Sequence, residues 1–367
     1  MPLPFKLKSE LDVLPVYQPG RPIEEVAREL GLPFDGIDKL ASNENPLGAS
    51  PKALEAVREA AANMHLYPDG NCFYLRRRLA EKLLVEPENL IFGNGSNEVL
   101  ELLGHALLSP GDEIVISQYC FVVYPIVGRL FGADVTSVPA KDHGHDLPAM
   151  LDAVTDRTRI VFVANPNNPT GTLAPREDVI ELVSNLPERV LLVMDEAYIE
   201  YLDDAADLTA LVRRGDHPNL FLTRTFSKIH GLAGLRIGYG VGHPEFIGAL
   251  EKVREPFNTN SLAQAGALAA LDDEDHVART RAVNAEGLEY FEAQFRRLKI
   301  DYVPSKGNFI LARVGDANDV FGKLQQRGVI ARPVTGYGLP EWLRISVGTA
   351  RQNERCIAAL EETISAR

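Results

Sequence analysis

The sequence predicts an α/β protein, with a large domain on a mostly parallel sheet and a smaller α+β domain after it. Three observations predict this. Short apolar runs alternate with helix-like segments between residues 90 and 241, the rhythm of βαβ units. Beyond residue 273 the alternation becomes shorter and more mixed. Chemically versatile side chains follow the apolar runs, where ligands bind in open α/β sheets. The expected division is an N-terminal arm with part of the small domain over 1–45, a large cofactor-binding domain over 46–272 and a small domain over 273–367.

Composition narrows the function classes. The chain has 367 residues, 45% of them hydrophobic and 24% charged, as in an ordinary globular protein of about two domains. A net charge of -13 argues against a nucleic-acid groove. The cysteines, Cys72, Cys120 and Cys356, are odd in number and far apart, which predicts no disulfide framework and a reducing, cytoplasmic setting. There is no secretory-type N-terminus and no run of about 18 apolar residues, so no membrane span is expected.

Residues 1–20 read as irregular, broken by four prolines, with Tyr17-Gln18-Pro19-Gly20 as a turn. Tyr17 is either a packed loop aromatic or part of an arm that reaches the site. A short helix is predicted over 22–30. Residues 40–48 form a structured polar loop in which Asn45 precedes Pro46 and is biased to extended backbone. Helices follow over 51–62 and 73–84, separated by a turn that carries Tyr67, either surface structure or a lid. The run Arg76-Arg77-Arg78 reads as a solvated or ion-paired face.

LIFGNG (90–95) leads into a helix at Ser96 and Asn97, and free N–H groups at such a start suit a phosphate monoester. Strands are expected over 113–117, 160–164, 190–194, 219–223 and 236–241, with a helix over 122–132. Asn168, Asp195 and Lys228 follow three of these strands. Asp195 leaves an apolar run, so its carboxylate needs a partner, which a protonated pyridine nitrogen supplies. Tyr198 and Asn168 are placed to reach the phenolic oxygen of the same ring. Lys228 lies among hydroxyls and near cations, where a lysine loses its proton and forms a Schiff base. Ser96, Thr225, Ser227 and Arg236 are candidates for a phosphate. Together these residues read as a pyridoxal phosphate site with no metal. His230 reads as structural, and His143 and His145 as members of a solvated loop.

In the C-terminal part, helices are expected over 244–254, 261–270, 276–298, 317–327 and 351–365. Strands are expected over 301–303, 308–312, 329–331 and 343–347, with a shaped loop over 333–340. Arg332 and Arg344 flank that loop, and an arginine grips a carboxylate or phosphate with two parallel hydrogen bonds.

These motifs resemble those of the fold-type I pyridoxal phosphate aminotransferases, and within them the histidinol-phosphate aminotransferases. NENPLG (43–48), YPD (67–69), GNGSNE (93–98), NPNNPTG (165–171), DEAY (195–198), TFSKIHGLAGLRIGY (225–239) and LRISVG (343–348) carry the resemblance over nearly the whole chain. It implies an aspartate-aminotransferase-like fold and a homodimer with sites at the subunit interface. It implies that Lys228 carries the cofactor, that Asp195 pairs with its ring nitrogen, and that Asn168 and Tyr198 hold its ring oxygen. Gly95, Ser96, Thr225, Ser227 and Arg236 would surround the phosphate, Phe121 would stack on the ring, and Tyr67 would reach the other subunit's cofactor. Arg344 would bind the carboxylate of glutamate or 2-oxoglutarate. With Tyr17, Asn45, Asn168 and Arg332, it would also receive the phosphate end of the amino donor. The implied reaction exchanges the amino group between L-histidinol phosphate and 2-oxoglutarate, giving imidazole acetol phosphate and glutamate. Rival readings are an aromatic amino-acid aminotransferase, a decarboxylase of a phosphorylated amino acid and a noncatalytic cofactor-binding module.

Overall fold

The computed structural model describes residues 5–14, 16 and 22–365. Strands run in chain order as β1 (Asp38–Lys39), β2 (Leu90–Gly93), β3 (Glu113–Ser117), β4 (Asp134–Val138), β5 (Thr158–Ala164), β6 (Leu191–Asp195), β7 (Leu220–Thr225), β8 (Gly238–Val241), β9 (Tyr302–Val303), β10 (Phe309–Arg313), β11 (Val329–Ile330), β12 (Arg332–Val334) and β13 (Leu339–Ser346). Seven of them form one sheet in the order β2-β8-β7-β6-β5-β3-β4. Its pairings are parallel from β7 to β4, and β8 runs antiparallel to both neighbours. The central strands read as unbroken apolar runs because both faces are covered. Val161, Val163, Leu192 and Met194 point into one core, and Ile160, Phe162, Leu191 and Val193 into the other.

The C-terminal sheet has the order β12-β13-β10-β9 and is antiparallel throughout. Helices Glu274–Leu298, Ala317–Gln326 and Ala350–Ser365 surround a third core centred on Phe291, Phe295, Ile310 and Ile345. The N-terminal segment joins this region, because β1 pairs parallel with β11. The loop after β1 is tied to the same sheet through Ser346, whose backbone N–H donates to the Leu40 carbonyl at 2.9 Å. Residues 40–48 thereby bridge the small sheet and the large one.

Several expected elements differ from those observed. Residues 9–13 form a single 3-10 turn where irregular chain was expected. The edge strand β4 was missed, since its sequence DVTSV lies partly exposed and lacks an apolar run. The loop expected over 333–340 contains part of β12, a 3-10 turn at Thr335–Tyr337 and the start of β13. Arg76 pairs with Glu251 at 2.9 Å and Arg78 with Asp272 at 2.7 Å, so the basic run is an ion-paired face. The solvated loop expected around His145 was wrong: its Nε2 lies 2.7 Å from the Ala164 carbonyl oxygen, and burial draws the ring's pKa down to about 4. His143 stacks on Tyr119 and meets Trp342 edge-on. His230 packs on Phe226, with ring centroids 5.1 Å apart.

Candidate active site

The ends of β5, β6 and β7 and the loop of residues 40–48 open onto one cleft of about 230 Å³. Ser96, Asn97, Phe121, Asn168, Asp195, Tyr198, Thr225, Ser227, Lys228 and Arg236 all line it. Parallel pairing explains the convergence: Ala164 stands beside Asp195, and Asp195 beside Thr223, so β5 and β6 end at one level and β7 two residues beyond it.

One end of the cleft is built for an anion. Helix Ser96–Leu107 begins at Gly95 with no side-chain cap, which leaves first-turn N–H groups available. The Thr225 hydroxyl donates to Ser227 Oγ at 3.0 Å, and Arg236 Nη1 donates to the same oxygen at 3.4 Å. Gly95 adopts φ +81°, and a Cβ there would lie 2.3 Å from Arg236 Nη2. Backbone geometry and the arginine's seat both demand glycine at this position.

At the opposite end Asp195 is 5% exposed. It accepts from the Tyr124 hydroxyl at 2.7 Å and from the Ala197 backbone N–H at 3.2 Å. Burial raises its pKa, while these bonds and the nearby Lys228 charge act the other way. A cationic ring N–H would complete its ionised form.

Lys228 lies between the two ends. Its Nζ donates to the Ser42 carbonyl at 3.3 Å and sits 5.7 Å from the centre of the Tyr198 ring. Burial, assisted by the Arg344 charge, lowers its pKa to about 8. The Tyr198 hydroxyl accepts from Asn43 Nδ2 at 2.9 Å, and burial pushes its pKa up to about 12. The phosphate-type cradle, the central lysine and the deep carboxylate fit pyridoxal phosphate. Among the described residues, no group of three or more His, Cys, Asp or Glu is arranged to hold a metal ion.

Arg344 is 8% exposed and stands one layer behind the lining. It donates to Asn168 Oδ1 and, at 3.0 Å, to the Ala41 carbonyl. Arg332 is its cross-strand partner, on the same face of the sheet but outside the cleft lining. Asn45 also lies outside the lining. Its Nδ2 donates to Ile229 O at 2.8 Å and Thr280 Oγ1 at 3.2 Å, while its Oδ1 accepts from Leu47 N. Its amide therefore fastens the loop, contrary to the substrate contact expected of it. Tyr67 is outside its own cleft, 84% exposed and stacked on Phe257. Tyr17 lies outside the described residues.

The sequence reading missed Tyr124, Asn43, Ser42 and Glu44. Tyr124 stands three residues after Phe121, in the first turn of helix Val123–Leu130, and that proximity in sequence was the available signal for it. The other three belong to the 40–48 loop, whose long-range ties are invisible in local spacing.

The fold and cleft define a fold-type I aminotransferase scaffold with a site for pyridoxal phosphate. The family described as "Aminotransferase class I and II" matches residues 36–360. A histidinol-phosphate aminotransferase of Akkermansia muciniphila is 50% identical over 352 residues, covering 96% of this chain and 96% of that protein. Histidinol-phosphate aminotransferase 1 of Thiobacillus denitrificans is 52% identical, covering 95% and 91% respectively. The crystal structure of histidinol-phosphate aminotransferase from Sinorhizobium meliloti in complex with pyridoxal-5'-phosphate superposes with a TM-score of 0.89 at 30% identity, over 98% of both chains. The chain belongs to the class I and II aminotransferases and, within them, to the histidinol-phosphate aminotransferase family.

Proposed function

We propose that this chain transfers the amino group of L-histidinol phosphate to 2-oxoglutarate, with pyridoxal phosphate as cofactor, as a step of histidine biosynthesis. The carrying observation is end-to-end likeness, at about half identity, to relatives named for that activity. Lys228, Asp195 and Arg236 line one cleft, which supports giving them the roles such a reaction needs.

Bound pyridoxal phosphate supplies a sink for the electrons left when the substrate's α-C–H bond breaks. Lys228 would hold the cofactor at its aldehyde carbon, and the phosphate would sit among Ser96, Thr225, Ser227 and Arg236. The Lys228 amine would serve as the base that takes the substrate's α-proton and holds it for return. Its low pKa keeps a substantial neutral fraction available for that transfer. Asp195 would keep the ring nitrogen protonated, and Tyr124 fixes the orientation of that carboxylate. Arg344, one layer behind the lining and bonded to Asn168, would supply positive charge for the anionic branch of each substrate. Holding these groups in place before the substrate arrives is the source of the rate gain.

A homodimer with shared sites is part of the same reading, supported by the exposed Tyr67 ring that its own cleft does not use. So is a reducing, cytoplasmic setting, in keeping with three buried free cysteines. Amino-donor profiling with 2-oxoglutarate as acceptor tests the function. L-Histidinol phosphate is expected to exceed phenylalanine and tyrosine by a large margin in kcat/KM. Preference for the free aromatic amino acids would replace this reading with an aromatic aminotransferase, and carbon dioxide release would replace it with a decarboxylase.

A further inference from the structure

Two carboxylates line the cleft, and only one is accounted for by the cofactor. Asp195 is sealed at the bottom by Tyr124. The other is Glu44, whose side chain remains 45% exposed. The loop holds it firmly from both sides. The Asn43 backbone N–H donates to Ser346 Oγ at 2.8 Å and its Nδ2 to the Tyr198 hydroxyl, while Asn45 Nδ2 donates to Ile229 O. Glu44 itself accepts from Lys39 Nζ at 2.8 Å.

A carboxylate at this position opposes the rest of the site. Arg236 and Arg344 suit anionic groups, and Glu44 repels them. Its charge reaches the reacting lysine, raising the Lys228 pKa against the effects of those arginines. A half-exposed Lys–Glu pair contributes little to stability, so the ion pair with Lys39 is a weak reason for a carboxylate here. A substrate branch that donates an N–H is a stronger one.

The donor assigned above has such a branch. Its α-carbon carries a phosphorylated methylene, suited to Arg344, and a second methylene that ends in imidazole. Imidazole donates an N–H in its neutral form and two in its cationic form. We propose that Glu44 is a specificity-determining residue that accepts a hydrogen bond from the imidazole of the amino donor. This inference rests on the proposed function. The 2-oxoglutarate half of the cycle needs no such contact, and Lys39 offers the opposite charge beside it.

The test compares L-histidinol phosphate with L-phenylalaninol phosphate, which keeps the amine and phosphate but replaces imidazole with phenyl. Both are assayed with the cofactor-loaded wild type, Glu44→Gln and Glu44→Asp. The wild type is expected to favour histidinol phosphate. Glu44→Gln is expected to shrink that preference about tenfold, the loss of one charge-assisted hydrogen bond. Most of this loss should appear as slower histidinol phosphate turnover, with Glu44→Asp retaining part of the preference and no rise in KM for 2-oxoglutarate. An equal fall with both donors would reveal a structural effect or one acting through Lys228, and would overturn the inference. So would a preference that survives in Glu44→Gln. A wild type inactive on histidinol phosphate would overturn the proposed function and this inference with it.

Discussion

Burial sets the charge state of Lys228 before any ligand arrives. Its folded-state pKa of about 8 lies below the unfolded value near 10.4. Between those values the unfolded chain binds more protons than the folded one, so stability rises with pH through that window. Compared with Lys228→Met, which carries no charge, the cofactor-free wild type should gain roughly a few kcal/mol between about pH 7 and pH 10. Urea unfolding of both proteins at each pH measures this, and a constant difference would refute it. Lys228→Ala should abolish transamination and the absorbance of covalently held cofactor. Tyr124 acts one step removed, through Asp195. Tyr124→Phe should lower kcat about tenfold, the value of one hydrogen bond to a charged group, while circular dichroism stays unchanged. A kcat equal to wild type would show that the Ala197 N–H alone suffices to hold Asp195.

The anion end of the cleft depends on how one helix begins. Helix Ser96–Leu107 enters from Gly95 in a left-handed backbone conformation and uncapped, and Arg236 crosses where a side chain at Gly95 would stand. Gly95→Ala adds strain in the backbone and displaces the guanidinium from the phosphate end. Affinity for pyridoxal phosphate should fall by at least about tenfold, read by absorbance titration of the cofactor-free protein. An unchanged affinity would mean that the arginine has another seat. Strand β13 makes the matching contribution from the small sheet. It presents Arg344 toward Asn168 and also carries Trp342, which meets His143 of the large-sheet region. The strand that carries Arg344 is thus keyed to the other sheet by a side chain two residues away.

Across the whole molecule, the cleft lies at the strand ends of the seven-stranded sheet, beside the 40–48 loop that ties it to the four-stranded one. Tyr67, expected at a site, stands outside the cleft of its own chain at 84% exposure. Sedimentation equilibrium should give about twice the chain mass of 40.3 kDa, with specific activity falling on dilution as the subunits part. Tyr67→Ser should weaken cofactor retention without changing the fold. A monomer with full activity would remove the shared-site reading and leave Tyr67 as a surface aromatic.

The sequence by itself determined the five inner strands of the large sheet and pointed to the chemistry at their ends. Both are written locally: unbroken apolar runs mark strands covered on two faces, and Asn168, Asp195 and Lys228 follow those runs closely enough for the parallel pairing to bring them together. Strands β4 and β12 were illegible because an exposed edge and a three-residue strand carry no apolar period. A substrate contact for Asn45 was implied by the family resemblance, not by its spacing. Its partners, Ile229 and Thr280, come from distant parts of the chain. The tertiary structure alone decided that Asn45 fastens the loop, that Tyr124 lies beneath Asp195, and that Glu44 faces the cleft beside Lys228. Those outcomes depend on which remote backbone and side-chain groups satisfy a buried amide, hydroxyl or carboxylate. Folding settles that matching through space, whereas spacing along the chain records only near neighbours.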